Sequence, residues 1–394
     1  MTEKRDPMNK QKGIIAKKVD ELLPELADIA LDLYQHPEVG GSEKRTTAVL
    51  QHYLQKRGFE VTDNYCDYPY AFKAVYDSGK PGACIAFFAE FDALPEIGHA
   101  CGHNLICTSA IGAACGLKEV IDEVGGKIIV FGTPDEEYVG GKAILTPKGA
   151  FDEADVCMMI HPGSETFSGG ASLALEGLQI EFYGKNAHAA NAPEEGINAL
   201  DAANLFYHMV NLEKQYYPGS NLYGIMKETG VKSNIIPDLA TLQFSVRAWT
   251  QDIFLQLKDM ISRCAQAAAL ATRCQYKVFT FEIAYESLRS NQTMTALFDQ
   301  NLLAFGEPSI AHKDFPGSTD MGNVSQHLPS IQPSVGIAGC DFVLHTKGFA
   351  EATITQGGKI CIERSAKAMA ATALDILKDP ALLEKIKAEF RSGN

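Results

Sequence analysis

Three short apolar runs in the first part of the chain each end in a cluster of polar side chains. The runs occupy residues 84–91, 127–131 and 156–160, and a segment of helical character separates the first from the second. Strands that alternate with helices are typical of a parallel α/β sheet. Because ligands of open α/β sheets bind at the carboxyl ends of the strands, the polar clusters are the first candidates for a functional site.

The first run leads into residues 99 to 104, which read His-Ala-Cys-Gly-His-Asn. Cys101 and His103 are two residues apart and point the same way in an extended or turning backbone. A thiolate and an imidazole that converge in this way are good ligands for a zinc-like ion. Gly102 permits a tight turn between them, and Asn104 is a good N-cap for a helix over the apolar residues 105–120. The segment therefore predicts a strand, a turn with two ligands, and a helix.

Further polar groups follow the other two runs. Glu136 and Glu137 come after the second run, and His161 ends the third. Taken singly, the Glu-Glu pair is typical of a solvated acidic loop and His161 of a hydrogen-bonded residue at a strand end. His345 belongs to the same predicted domain, whereas His188 lies in another part of the chain.

Together these residues provide one thiolate, three imidazoles and a carboxylate for one edge of the sheet. This is a sufficient set of ligands for two divalent ions with open positions for water. Water bound to such ions has a pKa lowered to about 7, and an unligated glutamate beside it can move protons. The pattern indicates chemistry suited to amide hydrolysis.

The pattern of elements changes near residue 170. Strands are predicted at 173–183, 223–228, 240–248 and 276–284, with helices at 197–216 and 254–271. The order β-α-β-β-α-β is that of the ferredoxin-like unit. We therefore expect an inserted domain at residues 170–284, between the two parts of a first domain at residues 1–169 and 285–394. The predicted fold is a two-domain α/β protein.

Charge and composition exclude several kinds of partner. The net charge is −14, which argues against nucleic acid or an anionic membrane as the main partner. No run of about 18 apolar residues occurs, so no membrane-spanning helix is expected. The polar N-terminus resembles no signal peptide, and the ten cysteines follow no framework pattern. We expect reduced thiols and a cytoplasmic location.

The order and spacing of these motifs resemble metallopeptidase family twenty, the dinuclear family that includes aminoacylases, glutamate carboxypeptidases and many dipeptidases. The resemblance covers about residues 20 to 380 and is strongest with the amidohydrolase subfamily. It implies a catalytic α/β/α sandwich of mixed or parallel strands, with the inserted ferredoxin-like domain acting as a lid and as the dimer interface.

The resemblance also implies a role for individual residues. The metal ligands would be Cys101, His103, Glu137, His161 and His345, and the general acid/base would be Glu136. In the lid, His188 would stabilise the oxyanion in the partner subunit's site, and Asn234 and Arg247 would hold the substrate carboxylate. Asp92 would support the metal site. The substrate would be an N-acyl amino acid, an aryl-glutamate or a dipeptide with a free carboxylate, cleaved by a hydroxide that bridges the two metals.

Asn104 departs from the commonest subfamily motif, which ends in aspartate. This change, with the run at 317–324, is similar to the p-aminobenzoyl-glutamate hydrolase branch and to animal β-alanyl-dipeptidase-like proteins. Asn104 carries no charge to orient a metal-binding histidine, so its supporting role is open. Zinc suits the Cys and His ligands, and manganese, cobalt or nickel remain alternatives. Two other functions compete: an amidase with Cys101 as nucleophile, and a relative that binds peptide or metal without turnover.

Overall fold

The computed structural model describes residues 7–315 and 317–392, so the polar N-terminal segment lies partly outside the described residues. The chain divides into two compact units. The first unit contains Met1–Ala171, Arg289–Asp314 and Asn323–Asn394, and the second contains Ser172–Leu288 and Phe315–Gly322. The turn at 317–320 lies in the part of the sequence assigned to the first domain, but it belongs to the second unit. The domain boundaries at residues 170 and 284 stay a prediction.

The helices, in chain order, are α1 (Pro7–Gln35), α2 (Lys44–Lys56), α3 (His103–Val124), α4 (Gly141–Leu145), α5 (Ala199–Glu213), α6 (Gln251–Thr272), α7 (Gln292–Ala304), α8 (Met321–His327), α9 (Lys347–Thr353), α10 (Gln356–Lys378) and α11 (Pro380–Ser392). The strands are β1 (Glu60–Asp63), β2 (Phe72–Asp77), β3 (Cys84–Glu90), β4 (Lys127–Thr133), β5 (Val156–Met158), β6 (His161–Gly163), β7 (Phe167–Ser172), β8 (Ala174–Tyr183), β9 (Ser220–Glu228), β10 (Leu239–Ala248), β11 (Gln275–Tyr285), β12 (Ala311–Phe315), β13 (Ser330–Ile331) and β14 (Ser334–Gly336).

The first unit is built on a six-stranded sheet in the order β1-β2-β4-β3-β5-β13. Strand β3 pairs in parallel with β4 and β5, and β13 pairs in parallel with β5. The β1 and β2 strands extend the sheet in antiparallel pairing. Every residue of β3 is buried, as expected for a central strand covered on both faces. The predicted mixed α/β fold is confirmed.

Helix α3 is the central helix of this unit and packs against α1 and α10. Among the described residues it is the one helix with the length and composition of a membrane span, but 89% of that window is buried inside the protein. A Cβ on Gly112 would lie 2.8 Å from Leu26 Cδ1, so glycine permits α1 to approach closely. The apolar character of α3 is thus that of a core helix.

The third predicted strand, 156–160, is divided in the structure. Residues 156–158 form β5 in the large sheet, whereas His161 begins β6, which pairs in parallel with β14 in a second sheet of order β12-β7-β14-β6. Pro333 separates β13 from β14 in the neighbouring segment. Since proline has no N–H to donate, it interrupts the ladder there. The prediction that His161 ends a strand is wrong, because it starts one.

The second unit has the predicted order β-α-β-β-α-β. Its sheet runs β11-β8-β10-β9, with antiparallel pairing throughout. In β10, the buried residues Leu242, Phe244 and Val246 alternate with half-buried neighbours, and the buried set packs in one core with side chains of α5 and α6. This alternation leaves the opposite face of the sheet for polar residues. The inserted ferredoxin-like fold is confirmed.

Candidate metal centre

Four separate segments of the first unit bring ligand-type side chains to one place. Cys101 precedes α3 and His103 begins it, Glu136 and Glu137 follow β4, His161 begins β6, and His345 precedes α9. Three groups of these side chains have ligand atoms within 4.8 Å of one another: Cys101, His103 and His161; Cys101, Glu137 and His345; and Glu90, His103 and Glu136. The structure therefore gathers the metal-ligand candidates named from sequence.

Cys101 belongs to two of these groups. Its Sγ lies 3.5 Å from His161 Nε2, and on the other side Glu137 Oε1 lies 3.3 Å from His345 Nε2. A thiolate in this position would help to hold an ion together with either set of side chains. The side chain is 7% exposed, and burial raises the pKa of its thiol well above the ordinary value, so a cation nearby is what would favour its ionised form.

Asp92 orients one ligand and one loop at the same time. Its Oδ1 accepts a hydrogen bond from His103 Nδ1 at 3.0 Å, and its Oδ2 accepts one from the backbone N–H of Glu137 at 2.9 Å. With Nδ1 occupied, Nε2 of His103 is the nitrogen that can bind a metal. Asp92 is 1% exposed, so neither bond competes with solvent.

His161 and His345 are placed by backbone contacts. His161 Nδ1 donates to the carbonyl oxygen of Pro162 at 2.8 Å, which leaves Nε2 to face Cys101. The backbone N–H of His345 donates to the carbonyl oxygen of Ala100 at 2.9 Å, which ties the distant segment to the cysteine turn. His345 has φ 62°, a left-handed conformation that is uncommon outside glycine. Such strain at a candidate ligand is consistent with a functional constraint.

The turn between the first two ligands requires glycine. Gly102 has φ +83°, and a Cβ there would lie 2.4 Å from Pro162 Cγ. Gly102 also occupies the N-cap position of α3, so the prediction that Asn104 caps this helix is wrong. Asn104 is fully buried inside the first turn, and its Nδ2 donates to the Ala30 carbonyl and to Thr353 Oγ1. Asn104 thus connects α3 to α1 and α9 through its side chain and does not cap α3.

The two adjacent glutamates differ in surroundings. The side chain of Glu137 is 12% exposed and lies close to His345. Burial opposes its ionisation, but the His345 ring and the charge of His103 outweigh burial and lower the pKa of Glu137. Glu136 is 8% exposed, and its Oε2 lies 4.0 Å from His103 Nε2. The pair thus places one carboxylate among the ligands and a second beside them.

Glu90 and His99 are two polar groups of this site that were not assigned a role from sequence. Glu90 is 1% exposed, and its Oε1 lies 3.1 Å from His103 Nε2. His99 is also 1% exposed, and neither ring nitrogen has a hydrogen-bond partner among the described residues. Burial lowers the pKa of His99 to about 3, so its ring is neutral. In a strand, residues 90 and 92 point to the same face. This spacing from Asp92 is the sequence signal that could have identified Glu90 as part of the site.

The second unit carries the other candidates. His188 and Asn234 are exposed and adjacent, since His188 pairs with Ile235 in an isolated bridge and the Asn234 carbonyl accepts from Ala189 N–H at 3.0 Å. The Nδ1 of His188 accepts from the backbone N–H groups of Ala190 and Asn191. Its Nε2 therefore carries the proton and can donate.

Arg247 lies on β10 among the half-buried residues that alternate with the buried ones. It is therefore on the face of the sheet opposite α5 and α6. Its register partners are Leu175 on β8 and Asn221 on β9. The guanidinium is thus carried by the sheet of the second unit, and the side chain is half-buried rather than fully exposed.

The donors of the first unit fit transition-metal ions. Thiolate, imidazole and carboxylate are the ligand types of zinc and related ions. Within the described residues, His103 Nε2 and Glu137 Oε1 are buried atoms without a hydrogen-bond partner. Buried polar atoms without a partner are rare in native proteins, and cations bound in the groups that contain these atoms would satisfy them.

Comparison with known proteins agrees with this geometry. Residues 174–273 match the peptidase dimerisation domain model. The chain is 36% identical to the Xaa-Arg dipeptidase of Mus musculus, with 95% of this chain and 91% of the relative covered. It is 27% identical to one of the subunits of the p-aminobenzoyl-glutamate hydrolase of Escherichia coli (strain K12), with coverage of 92% and 91%.

Among solved structures, the fold is similar to the YxeP protein of Bacillus subtilis, a dinuclear metal-binding peptidase. The TM-score is 0.71 at 19% identity, and the likeness covers 90% of this chain and 99% of that one. Identity above 30% over nearly the whole of a relative goes beyond a shared fold. Together with the family model match, it shows that this chain belongs to the M20 family of metal-dependent amidohydrolases.

Proposed function

We propose that this protein is a dinuclear metallohydrolase that cleaves the amide bond of a dipeptide or a related N-acyl amino acid with a free carboxylate. The observation that carries the proposal is the pair of ligand groups that share Cys101. One group contains His103 and His161 and the other contains Glu137 and His345. Bound there, two divalent ions would activate water and polarise the scissile carbonyl.

Glu136 is proposed as the general base and acid. It lies next to the ligand Glu137 in sequence, is buried, and has Oε2 within 4.0 Å of His103 Nε2. A carboxylate in this position takes the proton from the attacking water and later delivers it to the leaving nitrogen. Asp92 supports the step indirectly, because it holds both the His103 ring and the Glu137 backbone.

The second unit is proposed to bind the substrate. Arg247 suits a carboxylate because its guanidinium makes two parallel hydrogen bonds, and Asn234 adds an amide donor. His188, with Nε2 free to donate, would stabilise the tetrahedral oxyanion. In this proposal a second copy of the chain supplies His188, so the functional form is a homodimer through the second unit. A monomer in light scattering at assay concentrations would contradict the trans role.

Dipeptides with a C-terminal arginine are the first substrates to test, because two relatives at 36% and 34% identity are Xaa-Arg dipeptidases. Aryl-glutamates and N-acetyl amino acids come next, because other relatives hydrolyse p-aminobenzoyl-glutamate or deacetylate N-acetyl-L-cysteine by name. Zinc is the proposed metal, with manganese, cobalt and nickel as alternatives. The reduced cysteines support a cytoplasmic location.

A cysteine-nucleophile amidase is less well supported. A nucleophilic cysteine needs a base and a lowered pKa, whereas burial raises the pKa of the Cys101 thiol well above its ordinary value. That alternative assigns no task to His345 and Glu137. A non-catalytic relative would have no use for Glu136 beside a complete ligand set.

The test is a hydrolysis panel read by mass spectrometry with and without a chelator. It contains dipeptides that end in arginine, β-alanyl dipeptides, p-aminobenzoyl-glutamate, hippurate and N-acetyl amino acids. Cleavage that disappears with chelator and returns with zinc or manganese supports the proposal and identifies the substrate class. Cleavage indifferent to chelator but stopped by a thiol alkylator would replace it with the cysteine mechanism.

A further inference from the structure

Glu90 lies against His103, although it is not one of the five metal-ligand candidates named from sequence. Glu90 Oε1 lies 3.1 Å from His103 Nε2, the nitrogen left for metal by the Asp92 hydrogen bond. Despite that distance, His103 Nε2 has no hydrogen-bond partner among the described residues, so the two atoms do not point at each other. The His103 side chain is fully buried and the Glu90 side chain is 1% exposed.

Two atoms that are close but not aligned for a hydrogen bond can converge on a third point. Metal–ligand bonds of about 2.1 Å at angles between about 90° and 110° place neighbouring ligand atoms about 3.0–3.4 Å apart. The observed 3.1 Å falls in that range. Glu90, His103 and Glu136 also form one of the three groups with ligand atoms within 4.8 Å of one another.

Lys142 holds the other end of the same carboxylate. Its Nζ donates to Glu90 Oε2, and both side chains are buried. Because Oε2 is held by the ammonium group, Oε1 is the oxygen that faces His103. Lys142 lies in α4, the short helix that follows Glu136 and Glu137. The segment after β4 therefore supplies both glutamates and the lysine that orients Glu90.

The charges of the site agree with this arrangement. The groups that can carry a negative charge are one thiol and four carboxyls: Glu90, Asp92, Cys101, Glu136 and Glu137. Two divalent ions supply four positive charges, and Lys142 supplies the fifth. Since a buried charge without a counter-charge is costly, a lysine at this position allows Glu90 to be ionised beside the other carboxylates.

We propose that Glu90 is a further ligand at the His103 side of the metal centre, and that Lys142 is the positioning residue that aims it. The proposal rests on the metal-dependent function argued above. It predicts that one of the two ions depends on Glu90, whereas the ion held by Glu137 and His345 does not.

The experiment measures metal content by mass spectrometry after gel filtration, and metal affinity by competition with a chromophoric chelator. In Glu90→Gln, affinity for one ion should fall by at least about 100-fold while the other is kept; in Lys142→Met, the fall should be about 10-fold, as for other groups that orient ligands. Cobalt-loaded protein gives a second readout: the Cys101 charge-transfer band should persist while the d–d bands change.

A matched control tests whether any buried glutamate that pairs with a lysine has this effect. Glu176 is 1% exposed and pairs with Lys258 in the second unit, with Oε2 and Nζ 2.6 Å apart. Glu176→Gln should keep both ions at wild-type affinity. If Glu90→Gln fails to fold because Lys142 loses its counter-charge, the double variant Glu90→Gln/Lys142→Met removes both charges and should still lose one ion.

Retention of both ions at wild-type affinity in Glu90→Gln, or in the double variant, overturns the proposal and leaves Glu90 as a structural partner of Lys142. That outcome leaves the proposed function untouched, because the wild type would still hold two ions. A wild-type protein that binds no ion and hydrolyses in the presence of chelator would instead defeat the proposed function itself.

Discussion

The two units hold their candidate functional residues in opposite ways. In the first unit, His103 and Asp92 are buried and hydrogen-bonded to each other, and Asp92 also accepts a hydrogen bond from the Glu137 backbone N–H. In the second unit, His188 and Asn234 are exposed. The difference agrees with what each set is proposed to bind: ion ligands have to converge before the ion arrives, whereas groups that contact a substrate have to stay accessible.

This comparison predicts two classes of variant. Substitutions in the buried set should alter metal content or the chemical step, and substitutions in the exposed set should alter substrate affinity with metal content unchanged.

Glu136→Gln should have the largest effect on turnover. The amide keeps the size of the side chain but cannot move protons, so we expect kcat to fall by about 10³-fold, with both ions retained. Steady-state kinetics and metal analysis on the same sample measure this. Glu165→Gln, which changes an exposed carboxylate paired with Lys313, is the control. Wild-type kcat in Glu136→Gln would remove Glu136 from the mechanism.

Cys101→Ser should reduce the affinity for both ions, because Cys101 belongs to both ligand groups. A hydroxyl is a poor substitute for a thiolate on a soft or borderline ion, and we expect a loss of at least about 100-fold in affinity. Cys107→Ser changes a cysteine buried elsewhere on α3 and should bind metal normally. If only one ion is weakened in Cys101→Ser, the shared-ligand arrangement is wrong.

Arg247→Lys should lower kcat/KM by about 10–100-fold, mainly through KM, because a lysine keeps the charge but loses the two-bond geometry for a carboxylate. Metal content should not change. Arg263→Lys, at an exposed residue paired with Asp259 in the same unit, is the matched control. An unchanged KM, or an equal effect in the control, would show that Arg247 does not bind the substrate.

The smallest effect concerns stability and pH. Glu43 is fully buried beside the site, and burial raises its pKa from 4.5 to about 8. Between these values the folded state keeps a proton that the unfolded chain has lost, so wild-type stability falls as pH rises. Each pH unit costs at most about 1.4 kcal/mol. Glu43→Gln cannot ionise, and its advantage over the wild type should grow by about 1–3 kcal/mol between pH 5 and pH 8.

Denaturant unfolding of chelator-treated protein at several pH values measures this effect. Glu194→Gln, in an exposed turn of the second unit, should show no such growth. A difference between Glu43→Gln and wild type that stays constant with pH would mean that Glu43 is ionised in the folded state.

Local patterns were enough to predict most elements of the fold. The predicted helix at 254–271 is α6, and the predicted strand at 173–183 is β8 within one residue, because both have a clear period and a good boundary. One prediction failed because a distant segment intervened, and another because a neighbouring residue already held the predicted position. His161 begins a strand because Pro333 interrupts the neighbouring ladder, and Asn104 lies inside α3 because Gly102 already makes the turn.

The sequence by itself determined the fold class, the order of the two units and the ligand types of the candidate centre. Periodicity and residue chemistry are local properties, and they can be read without contacts. Only the tertiary structure decided that Cys101 joins both ligand groups, that Asp92 orients His103, and that Glu90 faces the same nitrogen. These are distances between segments far apart in the chain, and they depend on how the sheet and α3 pack rather than on any local pattern.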